Sequence, residues 1–175
     1  MPQGGEEKML FEDFVALWDK RHNVKKAIST RMMQMGMING RIMDAFHGQR
    51  LGDITGEQIR RFVDRLKYDV RTPQARTEDG RLSETTVHKH ARLVKHLFNK
   101  AVDWKYLSRN PCEDIPRDEW PKPNYHHYPV WEEEDLRKFL LIVEELPNYP
   151  RNLKHKAMFY LALLTGARKS ELIAL

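Results

Sequence analysis

Between Thr85 and Val102 the sequence sets His88, Lys89, Arg92, Lys95, His96, Asn99 and Lys100 at spacings that gather them on one side of a helix. No acid interrupts that arc. Lys and Arg on such a face can neutralise phosphates, and a free Asn or Arg can read base edges in a major groove. A solvated face with no partner has a similar composition, so placement of the charge has to separate the two. Residues 81–110 hold seven Lys or Arg against two acids, an excess equal to the whole net charge of +5. That concentration points to duplex DNA as the partner.

Other residues with chemical potential carry less. His126 and His127 are adjacent in a proline-rich stretch and lack further ligands at a usable spacing, so neither zinc nor any other metal is expected. Cys112, the lone cysteine, reads as an incidental thiol, and no cofactor or small-molecule ligand is implied. Met32, Met33, Met35, Met37 and Met43 read as core fillers.

The elements that position the basic face follow from periodicity and caps. Leu10, Phe14, Leu17 and Trp18 give a first helix running to about His22. A second is expected across Ala27 to Phe46, weakened at Gly36 and Gly40. Thr55 and Gln58 form a capping box for a third, with Ile59, Phe62, Val63 and Leu66 on its apolar face, and Thr72-Pro73 ends it in a loop to about Arg81. Ser83 caps the basic helix, which should last to about Trp104 and bury Val87, Ala91, Val94, Phe98, Ala101 and Val102. Prolines 111, 116, 121, 123 and 129 read as a semi-rigid linker. Beyond it, an acidic start at Glu132 to Asp135 opens a helix through Leu146. Lys154 to Leu164, apolar nearly all round, is expected to be buried, and Gly166 should end it in a left-handed turn. A last helix begins near Lys169 and runs into Leu175 without a cap.

With 175 residues, 41% hydrophobic and 31% charged, the chain suits one ordinary core or two small ones. No run of 18 apolar residues is present, so no membrane partner is expected. One cysteine and no secretory leader suit a reducing cytoplasm.

The run Leu161-Ala162-Leu163-Leu164-Thr165-Gly166-Ala167-Arg168-Lys169-Ser170-Glu171-Leu172 resembles the first-arginine motif of the tyrosine recombinases of the phage-integrase type. Upstream, Leu51-Gly52-Asp53-Ile54-Thr55 with its helix, then Phe98-Asn99-Lys100-Ala101-Val102 and Asn110-Pro111, are similar to that family's core-binding domain. The resemblance covers roughly residues 10 to 175. It implies an all-α, SAM-like helical bundle followed by the first helices of an α+β catalytic domain. The expected division is a leader at 1–9, the core-binding domain at 10–112, a linker at 113–129 and the catalytic fragment at 130–175.

The resemblance also implies that Arg168 is the family's first catalytic arginine, whose planar guanidinium can hold two oxygens of a phosphoryl transition state. Glu171 would orient its neighbours. The family's remaining groups, a hairpin Lys, a His-x-x-Arg pair, a further His or Trp and a nucleophilic Tyr, follow that arginine and match nothing in the seven residues after Arg168. His47-Gly48-Gln49-Arg50 lies ahead of it and is read as a loop. None of the tyrosines at 68, 106, 125, 128, 149 and 160 is nominated as nucleophile. The expectation is a fragment of a recombinase that binds DNA without cutting, monomeric off DNA, with oligomers on DNA reserved for an intact relative. A stand-alone DNA-binding module and a helical protein-interaction domain remain as alternatives.

Overall fold

The computed structural model describes residues 9–68, 81–124 and 129–174. The expected Thr72-Pro73 stop with most of its loop, Tyr125, Tyr128, the His126-His127 pair and the leader up to Lys8 lie outside the described residues. The chain divides into two units, Met1–Tyr125 and His126–Leu175. Eight α-helices build the described residues of both units, and Leu10 and Arg50 meet in an isolated antiparallel β-bridge.

The first unit holds α1 (Phe11–Arg21), α2 (Ile28–Met37), α3 (Met43–Phe46), α4 (Gly56–Tyr68) and α5 (Glu84–Asp103). Phe11, Phe14, Val15 and Trp18 recur at helical spacing along α1 and are all buried. Their partners form a chain of rings. Phe11 lies 5.3 Å from Phe46 of α3 and 6.2 Å from Phe98 of α5, and Phe46 lies 5.3 Å from Phe62 of α4. Burying each phenyl group contributes about 1.5–3 kcal/mol, and each tilted ring pair adds about 0.5–1.5 kcal/mol. One aromatic line therefore joins four helices.

Where a single second helix is expected, the structure shows α2 and α3 separated by a π-turn at Ile38–Ile42. Gly40 takes the non-helical ψ of −117° inside that turn. Ile38 and Ile42, four residues apart on one face, are both fully buried. The methionines divide accordingly. Met35, Met37 and Met43 pack against the core, whereas Met32 and Met33 are 70% and 52% exposed, correcting their assignment to the core.

The caps form as the sequence implies. Thr55 N–H donates to Gln58 Oε1 at 2.8 Å, and Gln58 N–H returns to Thr55 Oγ1 at 3.3 Å. Ser83 Oγ accepts from Thr86 N–H at the start of α5. His47 to Arg50 is indeed a loop, in which Gly48 has φ +75° and donates to the Glu12 carboxylate at 3.1 Å.

The stretch expected as a linker begins later than its prolines suggest. Residues 111–124 pack on the first unit, with Pro111–Asp114 as a 3-10 turn, Cys112 and Ile115 in the core and Trp120 against it. Thr85 Oγ1 donates to the Asn124 carbonyl at 2.7 Å, and Arg60 pairs with Glu119 at 2.9 Å. Gly56 opens α4 because a Cβ there would sit 2.8 Å from both Asp114 Cβ and the Pro111 carbonyl oxygen. The latch is Asn110, 2% exposed. Its Oδ1 accepts from the buried Cys112 N–H at 2.8 Å, while its Nδ2 donates to the Lys95 carbonyl at 3.2 Å and to Asn99 Oδ1 at 2.6 Å.

The second unit holds α6 (Glu133–Glu145), α7 (Pro150–Thr165) and α8 (Lys169–Ile173). Phe139 lies tilted against Trp131 at 5.2 Å and edge-on to Phe159 at 5.4 Å, and Val143 is the buried residue of α6. The expectation that α7 is buried fails: none of its residues is, and Leu153 and Leu164 are 50% and 82% exposed. Three helices offer too little surface to cover a helix that is apolar nearly all round.

Replacing Asn110 by Ala strands the buried Cys112 N–H and should cost about 1–3 kcal/mol of folding free energy. Urea unfolding followed by tryptophan fluorescence measures this, and an unchanged midpoint would show that the latch is dispensable.

Candidate nucleic-acid interface

Helix α5 buries a wide arc: Val87, His90, Ala91, Leu93, Val94, Leu97, Phe98 and Ala101. Val102, expected inside, is half-buried. What remains outside is a stripe through Lys89, Arg92, His96 and Asn99, flanked by His88, Lys95 and Lys100. The structure thus brings all seven basic-face residues together on one element, in different states of engagement.

Lys89 and Arg92 are exposed and have no ion-pair or hydrogen-bond partner among the described residues. Lys95 is exposed with its Nζ 5.2 Å from the centroid of the Trp120 ring, a cation–π contact that leaves the charge at the surface. His88 donates from Nδ1 to the Pro121 carbonyl at 2.6 Å, so this imidazole also fastens the 111–124 strap. Asn99 is exposed, but its Oδ1 is taken by Asn110. Lys100 is half-buried and pairs with Asp103 at 2.6 Å.

His96 sits in a joint between α1 and α5. Its Nε2 lies 3.3 Å from Nε2 of His22, and its ring meets Trp18 edge-on at 6.0 Å. A bond between two imidazole nitrogens needs one donor and one acceptor, which suits two neutral rings. Burial pushes His96 down to about 4, with Lys26, His22 and Lys100 adding to the effect. His22 is lowered too, by burial first and then by Lys26, Lys100 and Lys25. At neutral pH this pair is an uncharged packing joint.

The surrounding cations include residues that periodicity on α5 could not reveal. Lys25 and Lys26 lie on the turn after α1, close enough to disfavour imidazolium at the joint. Their signal in the sequence is the run Lys20-Arg21-His22-Asn23-Val24-Lys25-Lys26, which has four cations and no acid.

In the second unit, Gly166 takes φ +65° and donates to the Ala162 carbonyl at 2.9 Å, closing α7 in the left-handed turn. Arg168 follows as the residue before α8, its side chain 85% exposed. Glu171 Oε2 accepts from the Arg168 N–H at 2.8 Å, and its other oxygen lies 3.7 Å from the guanidinium. The carboxylate thereby fixes the backbone of Arg168 while leaving the guanidinium outward. Cys112 is buried with its thiol pushed up to about 12 by desolvation.

Stability should depend on the joint. Both histidines have folded pKa values below the ordinary 6.5, so the unfolded chain binds more protons. Their contribution is complete above about 6.5 and is lost as pH falls, for His96 toward about 4. Urea midpoints measured across that window should fall more steeply for the wild-type chain than for His96→Gln; parallel curves would remove the pair from the acid response.

The model of the phage integrase SAM-like domain family matches residues 13–115, from α1 through the turn that Asn110 latches. The chain is also similar to the ICEBs1 integrase of Bacillus subtilis (strain 168), 28% identical over 142 residues that make up 81% of this chain and 33% of that protein. It therefore spans about a third of the length of this curated relative. No solved structure gives a significant match. The helical bundle and the 103 matched residues out of 175, from α1 to the Asn110 latch, place this chain in the phage integrase SAM-like family, the DNA-binding core-binding region of tyrosine-recombinase integrases.

Proposed function

We propose that this chain docks on duplex DNA through α5 and acts as the front part of a phage-integrase-type tyrosine recombinase, in DNA integration or excision within the cytoplasm. The observation that carries this reading is the pair Lys89 and Arg92, side by side at helical spacing, exposed and without partners among the described residues. Two unpaired cations beside the Lys95–Trp120 stack can neutralise phosphates without first breaking an internal ion pair. His88 and Asn110 pin the flanks of the same helix, whose buried side holds the row in place.

The second unit is read as the start of the catalytic domain, with Arg168 as the residue that would hold the scissile phosphate and Glu171 as its positioning residue. The outward guanidinium on a backbone fixed by Glu171 supports that reading. Two of the four described tyrosines are poor nucleophile candidates. Tyr106 packs edge-on against Phe14, and Tyr160 donates to the Glu144 carboxylate, which raises its pKa. The 175 residues by themselves are read as a monomer that docks without cutting.

Duplex binding across a salt series of about 50–200 mM tests the docking. The double substitution Lys89→Ala with Arg92→Ala should flatten the log–log salt slope by about 1.8, at roughly 0.9 for each phosphate that is no longer neutralised. An unchanged slope would take α5 out of the interface. Arg168→Ala should leave affinity unaltered. A covalent adduct on a nicked suicide duplex would overturn the proposal that this chain cannot cut.

A further inference from the structure

The turn after α1 concentrates positive charge that the structure does not neutralise. Lys20, Arg21 and Lys25 are exposed and Lys26 is half-buried. The neighbouring carboxylate, Asp19, is occupied by Arg31 at 2.6 Å and by Asn23 at 2.9 Å. None of the four cations has an ion-pair partner among the described residues. Lys20 and Arg21 lie in the last turn of α1, where they favourably oppose the helix dipole. That explanation does not reach Lys25 and Lys26, which lie beyond the helix. Lys26 Nζ instead stands 5.8 Å from the Trp18 ring centroid and 3.3 Å from Gln34 Oε1, both uncharged partners.

The turn meets α5 at the histidine joint. His96 follows Arg92 by one helical turn on α5, and His22 meets it at 3.3 Å. The row Lys89, Arg92, His96 therefore continues across His22 onto the turn that carries Lys25 and Lys26. Along α5 alone, Lys89 to His96 covers about 10 Å at 1.5 Å per residue, or roughly three phosphates of one strand at 3.4 Å each along the duplex axis. Crowding of unpaired cations around two neutral rings costs the isolated fold electrostatic energy, and a polyanion laid along the row would remove that cost.

We infer that Lys25 and Lys26, backed by Lys20 and Arg21, form a second phosphate-binding surface that receives the backbone of the same duplex that α5 engages. This rests on the DNA-docking reading and extends the contact from one helix to two elements joined by the histidine pair.

The test uses the full chain and a short duplex, with four proteins: wild type, Lys25→Ala/Lys26→Ala, Lys89→Ala/Arg92→Ala and the quadruple variant. Circular dichroism checks that each retains its helices, and Lys25→Gln/Lys26→Gln stands in if the alanine pair does not. The turn variant should flatten the salt slope by about 1.8, as the helix variant does, and the quadruple variant by about twice that. A wild-type slope in the turn variant beside a reduced slope in the helix variant would overturn the second surface and leave docking by α5 intact. Absence of salt-sensitive binding by the wild-type chain would overturn the docking reading, and this surface with it.

Discussion

Almost everything in the first unit depends on how α5 is shared between core and surface. Eight of its twenty residues are buried, on an arc that meets α1 through Phe98 and α4 through the common aromatic line. A helix held on so much of its circumference cannot roll or slide without breaking packed ring contacts. The remaining stripe is consequently narrow and fixed in direction. Rigidity of the cationic row comes from the hydrophobic side of the same helix, and Asn110 and His88 only pin its edges.

That division of labour explains what the residues reveal by themselves. Local signals act over three or four positions and are legible: the Thr55–Gln58 box, the Ser83 cap, the left-handed Gly166 and the boundaries of α5. The family resemblance is legible for the same reason, being carried by short contiguous motifs. The π-turn is not, because Gly40 only lowers helix propensity, and a glycine inside a helical pattern does not by itself mark a departure from helical geometry. The strap at 111–124 reads as a linker because prolines exclude helix without saying whether the extended chain lies on a surface. Partners far away in sequence, Thr85 for Asn124 and Arg60 for Glu119, hold it down.

The basic face shows the same limit at finer scale. Periodicity places seven side chains on one side of α5 but is blind to their long-range partners. His96 is drawn into a neutral pair with a residue 74 positions away, and Asn99 is engaged by Asn110. Lys25 and Lys26 enter the neighbourhood only because packing of α1 on α5 brings the turn at His22 up to His96. For α7, the apolar composition is legible and its exposure is not, since burial depends on how much surface the neighbours supply.

The buried thiol has a use that its chemical inertness creates. Cys112 is the chain's one cysteine, shielded in the turn that Asn110 latches onto α5. A desolvated thiol held near 12 exposes almost no thiolate to an alkylating reagent. Modification therefore has to wait for the turn to open, and its rate counts openings of the first unit alone, because the second contributes no sulfhydryl. The chain thus carries its own clock for the breathing of the segment that supports the cationic row, readable without an added label and in the presence or absence of nucleic acid.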